Sequence, residues 1–387
     1  MVPSSEMLGT NSAFPRPSAP RRHERQFINF PLALSAQKNH KAANHLPSMT
    51  TSSICSRSIA AAVAISLAAL FSPSASAQTT ATTVPVGFIT KTLPPAPDAA
   101  NPTTATISIP LYATADFTSA VASVDGANQF TMATANWGAG LFTATPHLVR
   151  IKTGLGVGRF FLISLHSTNQ LTVILPPSVS TLVGLLAVGD SCEILPANTL
   201  SSVFGLTAPG FVTGSSANAA DKVYLWSGTG WDTYFNNGTH WRKSGNFNNQ
   251  DGIVIYPDEG IFISHIGSAA LSLTLLGTVP STPEKTDLDG AGITFISNRF
   301  PVDSTLVSTG LQSSPGWTTG SSANAADKVY LWNGSGWDTF FHNGTTLRKS
   351  GNFNPQDSTS IPTGSALYIS RINASPSVLA QALPYTP

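Results

Sequence analysis

Two tryptophan pairs carry the most distinctive chemistry in the sequence. Trp226 and Trp231 flank the turn Ser227–Gly230, and Trp332 and Trp337 flank its counterpart Asn333–Gly336. Across so short a loop the paired rings face the same side of a hairpin, because side chains in a strand alternate with period two. Tyr224, Thr233 and Phe235 are expected on that face as well. Two adjacent indoles can stack on sugar rings, and the neighbouring charges Asp232 and Arg242, with Asp338 and Arg348 in the second copy, would give such a platform a polar rim. The same spacing also describes the buried face of a sheet. Trp241 becomes Leu347, Tyr234 becomes Phe340 and Phe262 becomes Tyr368. The first exchange preserves bulk and destroys a stacking surface, which favours burial. The repeated charges Asp221–Lys222, Asp232 and Arg242–Lys243, with their mates Asp327–Lys328, Asp338 and Arg348–Lys349, suit a ligand rim or, equally, ion pairs and guarded sheet edges.

Catalytic chemistry is harder to assemble. The chain has no HExxH, GxSxG or Walker A pattern. His147, His166, His240, His265 and His342 lack metal-ligand spacing, and His240 and His265 stand opposite Thr346 and Arg371 in the other copy. A duplicated active site would repeat its ligands. Asp287 and Asp289 in "TDLDGAG" faintly resemble a calcium loop, but the terminal glutamate is missing, so a turn between modules is expected. The adjacent carboxylates Asp258 and Glu259 are replaced by Gly364 and Ser365, which argues against an acid/base pair. No catalytic residue, metal ligand or cofactor is expected, and the protein reads as a non-enzyme. Cys192 sits in the strand-like "GDSCEILP" and is expected to be a buried small residue.

The elements that would position these residues are strands, and they are duplicated. "TGSSANAADKVYLW" occurs at 213–226 and again at 319–332. At that offset 30 of the 36 positions from 213 to 248 are identical, and fainter matches extend the unit to about 100 residues. This is a tandem copy of a domain-sized module rather than a solenoid. "DKVYLW" and "WDTYF" alternate around turn chemistry, and no stretch after residue 77 sustains a 3.6-residue apolar period. Each copy therefore reads as an antiparallel meander.

The first 77 residues read differently. Residues 1–48 are basic and proline-containing, an expected extension or mis-called start before Met49. Residues 49–77 have the form of a secretory signal: Arg57, an apolar run from Ile59 to Phe71, and Ala75-Ser76-Ala77 before the expected cleavage. Cleavage there leaves 13 basic and 17 acidic residues, a net of −4, with no basic footprint for nucleic acid. The lone cysteine of the remaining chain rules out an internal disulfide. Strand-like runs such as "TATISIPLY", "GRFFLISL" and "NQLTVIL" predict a separate small β domain over 78–189. The fold class expected is all-β: an N-terminal barrel or sandwich followed by two tandem antiparallel modules, 190–283 and 284–387.

"ADKVYLWNGSGWDTFFHNGTTLRKSG", with "PVGFITKTL" and "VGDSCEILPANTLSSVFG", resembles an uncharacterised family of exported β-rich repeat proteins from Verrucomicrobia-like bacteria. The resemblance implies export and a β-rich fold, and it brings no reaction. The leading expectation is a secreted or cell-surface structural or adhesive protein, with extracellular polysaccharide or another surface protein as partner, no nucleic acid, and no stable membrane insertion after cleavage. A carbohydrate-binding protein using the Trp pairs is the second reading, and a secreted hydrolase the third.

Overall fold

The computed structural model describes residues 85–386 apart from Ala139 and Ala374. The expected extension (1–48), the signal segment (49–77) and the stretch up to residue 84 lie outside the described residues.

The chain is all-β. It begins with β1 (Val86–Leu93) and β2 (Thr103–Ile107), then runs through β3 (Phe117–Val124), β4 (Gln129–Met132), β5 (His147–Ile151), β6 (Phe160–His166), β7 (Gln170–Ile174) and β8 (Ser191–Pro196). The last six close into an antiparallel barrel in the order β3-β4-β7-β6-β5-β8. Alternation drives the closure: Phe130, Val149, Leu171, Val173, Cys192 and Ile194 all point into one buried cluster. Closing the sheet also removes the exposed edges that six short strands would otherwise leave.

After the barrel come β9 (Asn198–Thr199), the one-turn helix α1 (Leu200–Phe204), β10 (Lys222–Trp226), β11 (Trp231–Asn236), β12 (Trp241–Lys243), β13 (Val254–Ile255), β14 (Ile261–His265) and β15 (Leu271–Thr278). The second module contains β16 (Glu284–Leu288), β17 (Gly292–Ser297), β18 (Ser304–Thr305), β19 (Lys328–Trp332), β20 (Trp337–His342), β21 (Leu347–Lys349), β22 (Asn352–Pro355), β23 (Ser360–Ile361), β24 (Ala366–Arg371) and β25 (Ser377–Gln381). Its main sheet runs β17-β24-β19-β20-β21-β22, with β16 paired to β25 and β18 to β23.

The first module has the same plan: β2-β14-β10-β11-β12, with β1 paired to β15 and β9 to β13. Only the edge strand β22 lacks a counterpart. The strand pairing thus divides the chain differently from the boundaries expected from sequence. β1 and β2 complete the first module instead of a domain over 78–189, and β8, expected in the module starting at 190, closes the barrel. The barrel is an insertion between β2 and β9, at the place where the second module has only residues 298–303 between β17 and β18. The reason is physical. Pairing β2 with β14 joins residues more than 150 apart, and the matching positions of β2 and β17, 103–108 and 292–297, share only an Ile and a Ser.

The barrel docks on the second module through buried charge. Glu284, at the start of β16, is fully buried and accepts hydrogen bonds from Arg150 of β5 and from Arg299, each at 2.5 Å. The two guanidinium groups lie against the rings of Tyr112 and Phe160. Nearby, Asp287 takes Arg159 at 2.7 Å and Ser178 at 2.5 Å. Asp287 therefore sits on a strand in an ion pair with the barrel, and the turn joining β16 to β17 follows it.

Candidate functional site

The tryptophan pairs form in the expected register. Trp226 stands opposite Trp231, and Trp332 opposite Trp337. Val223 and Leu225, on the other face of β10, fill the module core with Tyr234, Trp241, Ile261 and Ile263. Leu347, the mate of Trp241, is buried in the second core.

The tryptophan faces meet each other across the two modules. Trp226 is 8% exposed and its indole N–H donates to the Ile293 carbonyl of β17 at 3.0 Å. Trp332 donates to the Thr104 carbonyl of β2 at 3.2 Å. Ile293 and Thr104 are equivalent positions, so the two bonds are related by an internal pseudo-two-fold. Ser297 N–H to Asp258 (3.0 Å) and Ser108 N–H to Gly364 (2.9 Å) form a second related pair. Trp226 and Trp231 pack on Tyr368, while Trp332 and Trp337 pack on Phe262. Burial pushes the phenols of Tyr224, Tyr330 and Tyr368 above the ordinary tyrosine value, as expected for rings taken out of water. Trp231 is the most exposed of the four, at 36%, and Trp332 and Trp337 are half-buried. Each pair is thus largely covered by the opposite module.

The rim charges are used internally in part. Lys243 pairs with Asp232, and Lys349 with Asp338, both at 2.8 Å. Asp221 and Asp327 are buried, not rim residues as their sequence context suggests. Asp221 accepts the N–H groups of Val212 and Ile266 and contacts His265, while Asp327 accepts those of Thr318 and Ile372 beside Arg371. The exchange of His265 for Arg371 therefore replaces a histidine 2.7 Å from the buried carboxylate with an arginine in a looser ion pair at 3.7 Å.

What remains is a groove on the outer end of the same sheet face. Phe235 and Arg242 are cross-strand neighbours on β11 and β12. With Thr213, Gly214, Ser215, Asn237 and Phe247 they line a groove of about 550 Å³, open solvent included. All seven residues recur in the second module as Phe341, Arg348, Thr319, Gly320, Ser321, Asn343 and Phe353. Phe341 and Arg348 are again cross-strand neighbours. Part of this identity is structural. A Cβ on Gly214 would lie 2.4 Å from the Ala219 carbonyl, and on Gly320 2.5 Å from that of Ala325, so the loop admits only glycine. Exposed positions have no such constraint. Phe247 is 71% and Phe353 80% exposed, and Thr213, Ser215, Thr319 and Ser321 also face solvent.

Electrostatics single out the groove's arginines. Of the six arginines in the described residues, Arg150, Arg159, Arg299 and Arg371 are buried against carboxylates. Arg242 and Arg348 alone have no carboxylate partner among the described residues. Arg242 donates to the Phe247 carbonyl, and the Phe247 ring is exposed. Asn237 and Asn343 each use the side-chain oxygen to close a turn, accepting from Thr239 and His240 or from Thr345 and Thr346. Their amide N–H groups have no acceptor among the described residues. Sequence reasoning singled out Arg242 and Arg348 but missed Phe247 and the flanking hydroxyls, although their identity in both copies was the available signal.

Comparison with known protein families, with curated proteins and with solved structures found no match for the chain. Among the described residues no helix is long and apolar enough to cross a membrane.

Proposed function

We propose that the protein is an exported, non-catalytic adhesion protein that holds an extracellular partner in two equivalent grooves, one per module. The observation that carries this reading is the identity of all seven groove residues in both copies, exposed ones included, beside arginines with no internal partner. The aromatic faces, which would have supported a sugar platform, are largely spent on holding the modules together. Two sites on one rigid body suit retention on a repetitive surface, since the second contact forms at an effective concentration near millimolar and can raise avidity 10²–10⁴-fold, as an order of magnitude.

Fractionation of producing cells tests this. The full-length protein is expected in the cell-surface fraction, and the double variant Phe247→Ala/Phe353→Ala is expected to be released into the medium. Surface retention unaffected by that variant, or retention of the protein in the cytoplasm, would overturn the proposal.

A further inference from the structure

We infer that each groove binds a carboxylate-bearing sugar unit, so that the partner is an acidic polysaccharide of the uronic-acid type. The inference rests on the reading of the grooves as binding sites and adds the chemistry of the occupant. The lining presents two donors, the Arg242 guanidinium and the Asn237 amide N–H, beside the hydroxyls of Thr213 and Ser215, which can donate or accept. No carboxylate lines it, although acidic residues outnumber basic ones in the chain from residue 78 onward. An arginine left without a counter-ion in such a setting favours an anionic guest, and its planar fork matches a carboxylate in two-point contact.

The remaining groups favour a sugar as carrier of that carboxylate. The exposed Phe247 ring offers a flat apolar face in the same groove, which suits the C–H face of a pyranose. The hydroxyls and the amide suit the ring's own hydroxyls. An extended peptide would instead add to a free strand edge next to the groove. In the second module that edge is already occupied by β22, which pairs with β21, while the groove residues are unchanged. A guest common to both modules therefore cannot depend on strand addition. The same seven residue types recur in the second module, which suits a polymer that repeats its acidic unit.

The test uses the full-length protein and immobilised polygalacturonate, with fully methyl-esterified polygalacturonate, dextran and polyglutamate as parallel probes. Binding is expected to polygalacturonate and to fall at least tenfold on the methyl ester, which keeps the sugar and removes the charge. Arg242→Gln is expected to weaken binding about tenfold or more by abolishing bivalency, and Arg242→Gln/Arg348→Gln to reduce it to background. Arg242→Lys/Arg348→Lys, which retains charge without the fork, should fall in between. Thermal melting of the four proteins should coincide, because neither arginine has an internal carboxylate. Equal binding to the methyl ester or dextran, equal or better binding to polyglutamate, no binding to polygalacturonate, or an unaffected double variant would each overturn the inference. If cell-surface retention still depends on Phe247 and Phe353 in any of those cases, the grooves remain adhesive and only the assigned ligand class falls.

Discussion

Glu284→Gln should detach the barrel from the second module. Glu284 is fully buried and its two oxygens are divided between Arg150, from the barrel, and Arg299, from the loop after β17. Both arginines are almost fully buried, and the Nε and Nη1 of Arg299 have no hydrogen-bond partner of their own. Glutamine keeps the shape but removes the charge and replaces one acceptor with a donor facing a guanidinium. Arg150 retains Glu193 at 3.7 Å and the Thr282 hydroxyl, whereas Arg299 loses its one described ion pair. Breaking one side of such a pair costs about 3–5 kcal/mol, because a buried charge is left behind. At about 2–4 °C per kcal/mol for a large domain, the melting temperature should fall by roughly 6–20 °C. Breaking the partly solvent-accessible Lys243–Asp232 pair with Lys243→Ala should cost about 1 kcal/mol. Differential scanning fluorimetry of the two variants beside the parent protein checks both numbers. A Glu284→Gln loss no larger than that of Lys243→Ala would refute the argument that this carboxylate neutralises the docking surface. Replacing the triad together, as Arg150→Met/Glu284→Leu/Arg299→Met, should recover most of the loss, since no charge would then be stranded.

Three further outcomes are expected. Burial, reinforced by Asp190 and Glu193, pushes the Cys192 thiol up to about 12, so iodoacetamide should leave it unmodified at pH 8 until the barrel unfolds. The sign follows: the folded state holds the thiol proton more tightly, so stability should decline as pH rises above the ordinary thiol range of about 8.5, and Cys192→Ala should flatten that decline. Hydrogen bonds from Ser123, Thr131 and Gln170 hold the Asp125 carboxyl below its ordinary value. Its small stabilising contribution is present above about pH 3.9 and lost as pH falls through the depressed value, which carboxyl NMR titration against Asp125→Asn would detect. Excision of residues 113–196, with a short Gly/Ser link from Tyr112 to Ala197, should leave the two modules folded, because those two residues share one buried cluster and no excised strand pairs with a module strand. Persistence of the Trp226 and Trp332 indole N–H signals in the shortened chain measures this, and their loss would refute it.

How much of this was legible follows sequence distance. The Trp226–Trp231 and Trp332–Trp337 pairs were readable because a four-residue turn fixes their register locally. The core role of Trp241 was readable from its exchange for Leu347. The insertion of the barrel was not, since β1 finds β15 across some 180 residues and strand propensity does not name a partner. Asp221 looked like a surface charge beside Lys222, yet its backbone donors and His265 come from positions 9, 45 and 44 residues away. The groove was half legible. Identity of "TGSSANAA" in both copies was visible, but turn geometry explains Gly214 alone and leaves Thr213 and Ser215 unexplained until Arg242 and Phe247 are found beside them.

The pattern of change between the copies separates two kinds of surface. Where the modules meet, the tryptophan pairs are the same in both copies, while one pair of equivalent positions has diverged in a complementary way. Phe295 packs so closely on Gly260 that a Cβ there would lie 2.7 Å from the ring, whereas the matching contact sets Thr106 against Ala366, whose N–H reaches the threonine hydroxyl at 3.3 Å. A large residue faces none at all on one side, and two small ones meet on the other. Such an interface prefers the two unlike modules of one chain over two like copies, because a second Phe295 would have to enter against Ala366. The grooves show the reverse: seven positions, several of them exposed and free to drift, remain the same in both modules. Divergence at Gly260/Ala366 and Phe295/Thr106 is what an internal contact produces where each side adapts to a different neighbour. Identity at exposed positions is what the proposed common partner would require, and that proposal sets the binding surface on the grooves rather than on the tryptophans between the modules.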